Sequence, residues 1–490
     1  MSRKSSLSYF NNWISLCGAV IAIGSAFSFI FLFVMDLFAG HSNAYLGILT
    51  YIASPAFLIL GMGLMLVGWF LHRRQILRNE SGISALTFSL NLANRSDRKK
   101  FIIFTAGTFI FLILSAIGSY KTYHVTESVE FCGEVCHAVM EPEYTTYQTG
   151  AHARVACVEC HIGSGAEWYV KSKLSGLYQV YSVALDKYNR PIETPVHNLR
   201  PARDTCEACH WPEKFTGNLD RTYPHFLADD ENTPFTVRMS LNVGGADPRR
   251  GAAEGIHWHM SASNMVEFIA EDEQLQTIPW IRVTYPDGSV AEYVTPDFEG
   301  NPADYEIHKM DCMDCHNRPA HVFKPPSELV DQSLYLGQLP TELSGVKRLA
   351  VELLTGEYAD SAEALAAIEA GLTEAYEGDE LLTAGIQELQ GIYAANFFPK
   401  MKADWSAYPN NIGHMNWPGC FRCHDDMHST KDGSRTVEMS NCNSCHSILA
   451  QGSTSEELRT LHPDGVEFKH PGGDVEGFLC SDCHDGTLAE

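Results

Sequence analysis

Residues 132–161 read CGEVCHAVMEPEYTTYQTGAHARVACVECH. Two pairs of cysteines lie in this stretch, each followed at once by a histidine: Cys132, Cys136 and His137, then Cys157, Cys160 and His161. Five more copies follow: Cys206, Cys209 and His210; Cys312, Cys315 and His316; Cys420, Cys423 and His424; Cys442, Cys445 and His446; Cys480, Cys483 and His484. The first copy has three residues between its cysteines and the others have two. Thiols at this spacing add to the two vinyl groups of one porphyrin, and the adjacent imidazole then sits under the ring and ligates its iron. The pattern is the attachment signature of c-type haem.

Seven copies use 14 of the 15 cysteines and leave only Cys17. A zinc ribbon pairs its cysteine couples and needs no histidine after each one. A thioredoxin-like couple is normally single and sits in a βαβ setting. The reading is therefore seven c-type haems, with no cysteines left for a disulfide framework. Haem c is attached outside the bacterial cytoplasm, which places the motif-bearing region in the periplasm.

Charge divides the chain. Residues 1–120 hold nine Lys and Arg against three Asp and Glu, a net of +6, so with −25 overall the remainder carries −31. Such an acidic surface excludes nucleic acid as a partner and suits docking to basic redox proteins. Three apolar runs, 13–35, 45–71 and 101–120, each reach the roughly 20 residues that cross a bilayer. The first is too long for a signal peptide and lacks a small-x-small cleavage site. Arg3 and Lys4 precede it, and Arg73, Arg74, Arg78, Arg95, Arg98, Lys99 and Lys100 lie between the second and third runs. The positive-inside rule puts both segments in the cytoplasm, and three crossings then deliver everything after Tyr120 to the periplasm. His41 and His72 lie at opposite ends of the second run, too far apart to share a b-type haem.

A membrane helix running into FCGEVCHAVMEPEY, YQTGAHARVACVECH and then a third motif resembles the NapC/NirT family of membrane-anchored multihaem quinol dehydrogenases. The stretch 168–215, WYVKSKLSGLYQVYSVALDKYNRPIETPVHNLRPARDTCEACHWPEKF, more closely resembles inner-membrane seven-haem cytochromes of the ImcH type. The family's usual anchor is one helix, where three are expected here, and its first motif is CxxCH followed closely by Met. In this chain Met140 follows His137 by three residues and is the first choice for an unusual axial ligand, or else packs against the ring. The resemblance favours His152 and His197 as distal ligands. His321, His414, His428 and His470 follow because each lies near a motif in a turn-rich stretch, and His308, His257 and His259 come next.

The expected architecture is a membrane-anchored multihaem cytochrome, with three transmembrane helices and a mostly α and irregular periplasmic haem domain carrying a small β-rich insertion. Its segments are a membrane anchor (1–120), a trihaem region like NapC/NirT (121–215), a β-rich insertion (216–305), a fourth-haem and helical region (306–400) and a C-terminal trihaem region (401–490). Within the insertion, 280–285 and 290–294 around Pro286-Asp287-Gly288 read as a hairpin, and His257 and His259 read as facing one side of a strand. Residues 361–375 and 379–394 read as a helical hairpin whose carboxylates form a solvated face. Three haems in 401–490 leave too little chain for a conventional core.

Residues 168–185 have one apolar helical face, which either packs on a core or lies on the bilayer surface. On the second reading, Lys171, Lys173, Asp186, Glu141 and His124 are candidates to bind a quinol and take its protons. The expected function is oxidation of menaquinol from the membrane pool and transfer of electrons to periplasmic c-type cytochromes, in anaerobic or extracellular respiration. The alternative is a relay fed by a separate quinol-oxidising subunit. A nitrite or hydroxylamine reductase ranks below both, because no copy of the motif has lysine in place of its histidine.

Overall fold

The computed structural model describes residues 12–38, 53–77, 127–135, 137–163, 165–194, 200–211, 215–244, 254–260, 264–439, 442–473, 475 and 477–488, with scattered positions between 93 and 120. The chain forms two compact units, Met1–Val135 with Ala156–Ala184, and Cys136–Val155 with Leu185–Glu490.

In the first unit, α1 (Trp13–Phe38) and α2 (Ser54–Leu77) are uninterrupted apolar helices. Within them Trp13–Leu32 and Ser54–Arg74 are long and apolar enough to cross a bilayer. Small residues bring the two backbones together. A Cβ on Gly18 would meet the Gly61 carbonyl at 2.6 Å, and one on Gly61 would meet the Ala22 nitrogen at 2.6 Å. Ser15 Oγ donates to the Met65 carbonyl at 3.2 Å. Close packing of small residues is what drives helices together in lipid, where burying apolar surface gains nothing. Ile23, Phe27, Ile59, Leu66 and Phe70 face outward. Two spans are thus seen among the described residues where three were expected. Half of the run 101–120 lies outside them, and its described positions are helical.

A π-turn at Phe131–Val135 carries Cys132, the first cysteine of the first motif. Helix α3 (His137–Thr149) belongs to the second unit, and α4 (Cys157–His161) and α5 (Ala166–Ala184) to the first. Leu174, Tyr178, Val180 and Tyr181 are exposed along α5.

The rest of the second unit begins with the short helix α6 (Ala202–Cys206). Strands β1 (Leu219–Phe226) and β2 (Pro234–Leu241) then pair antiparallel, with Leu219 opposite Leu241. A second antiparallel sheet contains β3 (Met265–Ile269), β4 (Trp280–Thr284), β5 (Val290–Val294) and β6 (His308–Lys309), in the order β5-β4-β3-β6. Its β4–β5 turn closes where Gly288 takes φ +81° and the Asp287 carboxylate accepts the Ser289 N–H at 2.9 Å. Val266, Phe268, Ile281, Val283, Ala291 and Tyr293 form its core.

Four helices follow: α7 (Pro326–Tyr335), α8 (Val346–Leu354), α9 (Ser361–Tyr376) and α10 (Leu382–Asn396). Asp360 caps α9 by accepting from the N–H groups of Ala362 and Glu363. Ala364, Ile368 and Leu372, four residues apart, enter a core with Val330, Leu343, Leu354 and Leu389, while Glu363, Glu369 and Glu374 stay solvated. The bundle is tied to β1 by a buried charge pair. Lys347 Nζ lies 2.6 Å from Asp331 Oδ1, with side chains only 7% and 4% exposed, and Asp331 also accepts the Phe226 N–H at 3.0 Å.

Strand β7 (His446–Gly452) returns to pair with β2, so the first sheet runs β1-β2-β7 and joins segments two hundred residues apart. The chain ends near the one-turn helix α11 (Cys480–Cys483). Within 401–490 the buried apolar side chains are few: Met401, Ala403, Tyr408, Ile448 and Ala450 among the described residues.

Candidate haem centres

Most of the described motifs fold as a single turn, closed by the histidine N–H donating to the carbonyl of the first cysteine. The distances are 2.7 Å for His210 to Cys206, 2.8 Å for His316 to Cys312, 3.1 Å for His424 to Cys420 and 2.9 Å for His484 to Cys480. Residues at offsets of zero, three and four share one helical face, so the turn gathers two thiols and an imidazole. Among the described residues no disulfide joins the 13 motif cysteines, and Cys136 lies outside them.

A second histidine stands opposite five motif histidines. Ring centres are 6.0 Å apart for His152 and His210, 6.4 Å for His257 and His316, 5.9 Å for His259 and His424, 6.2 Å for His414 and His446, and 5.9 Å for His470 and His484. An imidazole nitrogen binds a transition metal at about 2 Å and its ring centre lies roughly 1 Å behind, so two rings on one iron have centres about 6 Å apart. Every pair has that separation, and the residues fit haem.

Hydrogen bonds orient several of these rings. Nδ1 of His152 bonds the Pro319 carbonyl at 3.0 Å, that of His257 the Val243 carbonyl at 3.1 Å, that of His259 the Ile256 carbonyl at 2.9 Å, and that of His424 the Glu438 carbonyl at 3.2 Å. A proton donated from Nδ1 leaves the lone pair on Nε2, the form that binds metal. Burial holds His257, His259, His316, His414, His446 and His484 below the ordinary imidazole value and favours the neutral ring.

Neighbouring motifs touch. Cys157 is in hydrogen-bonding contact with Cys132 in the first unit, and Cys312 with Cys206 in the second. Cys315 lies beside Cys420 and Cys423, and Cys445 beside Cys420. Arg422, inside the fifth motif, donates to the Asp314 carbonyl of the fourth at 2.6 Å and to those of Leu275 and Gly419 at 2.7 and 2.9 Å.

Of the six histidines expected opposite the motifs, His152, His414 and His470 stand there, and His197, like His124, lies outside the described residues. His321 places Nδ1 2.8 Å from the Glu143 carbonyl. His428 departs from expectation. It is wholly buried, with Nδ1 2.9 Å from Asp425 and Nε2 2.7 Å from the Ile278 carbonyl, so both nitrogens are committed to joining two loops. His308 stacks on Phe268, with ring centres 5.4 Å apart. Met140 is half-buried on α3, the helix that His137 begins.

A second correction concerns His257 and His259, which lie on a 3-10 turn, Ile256–Met260, and not on a strand. At three residues per turn, positions two apart diverge by about 120°, so the two rings meet different motifs. Two histidines in a motif-free stretch were the available signal.

The quinol candidates separate. Lys171 pairs with Glu167 at 2.9 Å and lies over the Trp168 ring at 4.4 Å. Asp186 pairs with Arg190 in the second unit, and Glu141 is exposed. Lys173 is half-buried near Glu127 and Cys132, its amine pushed down by burial. Burial likewise lifts the Glu127 carboxyl to about 8, against the pull of the Lys173 charge. Glu127 carries no sequence mark, because its burial is a tertiary property.

A chain with this many iron-width histidine pairs, continuous with two lipid-length helices, is a membrane-anchored multihaem c-type cytochrome of electron transport. Residues 94–194 match the NapC/NirT cytochrome c family, N-terminal region. Over 504 residues the chain is 42% identical to the cytochrome c-type protein ImcH of Geobacter sulfurreducens, covering 99% of this chain and 97% of that one. The chain belongs to the ImcH-like cytochromes of the NapC/NirT family. It is also 26% identical over 125 residues to the cytochrome c-type protein NrfH of Wolinella succinogenes, across 23% of this chain and 68% of that protein. No solved structure matches the chain.

Proposed function

We propose that this chain is an inner-membrane quinol dehydrogenase carrying seven c-type haems, which oxidises menaquinol and passes the electrons to periplasmic c-type cytochromes. Its N-terminus is cytoplasmic and its haem region periplasmic. The observation that carries the reading is the recurring separation of about 6 Å between a motif histidine and a second histidine. His152, His414 and His470 serve as distal ligands, with Met140 as a candidate at the first centre and His197 and His321 as further candidates. An iron held by imidazoles on both faces offers substrate no open position, which favours electron transfer over nitrite or hydroxylamine reduction. Haem supplies one-electron acceptance, so the two electrons of a quinol leave in turn.

The chain's own groups must take the two protons released as quinol becomes quinone. Lys173 and Glu127, beside the first motif's Cys132, would bind a quinol hydroxyl, and Glu127, once ionised, would receive its proton, with Lys171 and Asp186 as further candidates. The test uses the full chain in detergent. Pyridine haemochrome analysis should give seven haems per polypeptide, and a menaquinol analogue should reduce them with no other subunit present. Reduction by dithionite but not by the analogue would assign the relay role instead, and steady turnover of nitrite would assign a reductase.

A further inference from the structure

We propose that the single turn Ile256–Met260 ligates two haems at once: His257 closes the iron held by His316, and His259 closes the iron held by His424. This rests on the haem reading above and assigns two ligands that neither the motifs nor the family resemblance mark. The ring pairs stand 6.4 and 5.9 Å apart, and both distal rings fix Nδ1 on a backbone carbonyl and so present Nε2.

The turn is hung from the end of β2. The Ile256 N–H donates to the Asn242 carbonyl at 2.9 Å, and the His257 N–H to that of Val243 at 3.1 Å. Gly255 there takes φ +82°, and a Cβ on it would meet the Asn242 carbonyl at 2.6 Å, so the approach needs glycine. Asn242 in turn bonds the Cys445 carbonyl of the sixth motif through its N–H at 2.7 Å. Between the two histidines, Trp258 packs near His259 and Tyr285, and its carbonyl accepts from Asn264 at 3.1 Å. On the thiol side Arg422 ties the same two motifs together. The fourth and fifth haems are therefore clasped from both sides as one rigid pair.

The ring planes make the assignment testable apart from activity. His257 and His316 are nearly parallel at 5°, and His259 and His424 nearly perpendicular at 88°. Parallel imidazoles on low-spin ferric haem give a rhombic electron paramagnetic resonance signal, whereas perpendicular ones give a highly anisotropic signal with a large maximum g. In the oxidised full-length protein, His257→Met should remove one rhombic component and His259→Met one large-g component. Each should add the near-infrared band of methionine-ligated haem, and Trp258→Phe should change neither signal. Unchanged spectra in a haem-loaded variant, or loss of the same component from both, would overturn the assignment. Should a variant fail to accumulate, the wild-type spectrum still tests the geometry, since one class of low-spin signal alone would overturn it. A haem count of zero would instead sink the cofactor reading itself.

Discussion

Glu127 holds its proton at neutral pH because burial lifts its carboxyl to about 8, with the Lys173 charge opposing and the Glu159 charge adding to the rise. On the proposed mechanism it accepts a quinol proton only once ionised, so quinol oxidation should quicken as pH rises through about 8. Glu127→Gln should flatten that profile and slow turnover about 100-fold, read by stopped-flow haem reduction. The stability effect has the opposite sense. A carboxyl raised by folding favours the fold fully only below its unfolded value, and that contribution is lost as pH climbs through the folded one. Denaturant midpoints should therefore fall from acid to pH 8 less steeply in the glutamine variant. Lys173 was legible as a cation beside an apolar helical face, and Glu127 was not, because nothing local records which carboxylate the fold will bury. The same limit applies to His428, which proximity to a motif marked as a ligand and which Asp425 and Ile278 hold instead.

Among the elements, the join between β1 and the helical bundle rests on Lys347 and Asp331. Removing one partner of a buried pair strands the other charge in a low-dielectric site, so Asp331→Asn should cost about 3–5 kcal/mol in urea unfolding of the haem-loaded protein. Replacing both by apolar residues of similar size should recover most of that loss. The hairpin around Pro286-Asp287-Gly288 and the paired helices of 361–396 were readable, since alternation, turn chemistry and helical spacing are local. Strand β7 was not, because it begins on a motif histidine and its partner β2 lies far upstream. The turn carrying His257 and His259 misled for a different reason. A three-residue His-Trp-His pattern looks the same in a strand and in a 3-10 turn, and only the second sends the rings to separate targets.

Over the whole molecule, the residues after 120 carry −31, before any haem propionate is counted. Electron delivery to a small cationic cytochrome should accordingly slow as salt rises from about 10 to 150 mM, while an acidic acceptor should show no such decline, by stopped-flow spectroscopy. The motif spacing made the cofactor legible, and the long apolar runs made the anchor so, because both are properties of the chain read in order. Which histidines face which motifs required the tertiary structure. The sparse apolar burial of residues 401–490 has a consequence beyond electron flow. A segment with so little grease of its own borrows it from porphyrin, whose apolar faces, tethered to the chain and buried as it folds, become part of the folding free energy. During iron scarcity the cell would not accumulate a colourless reserve of this polypeptide. Unfinished copies would be left to proteases, so the abundance of the protein would itself register the metal supply.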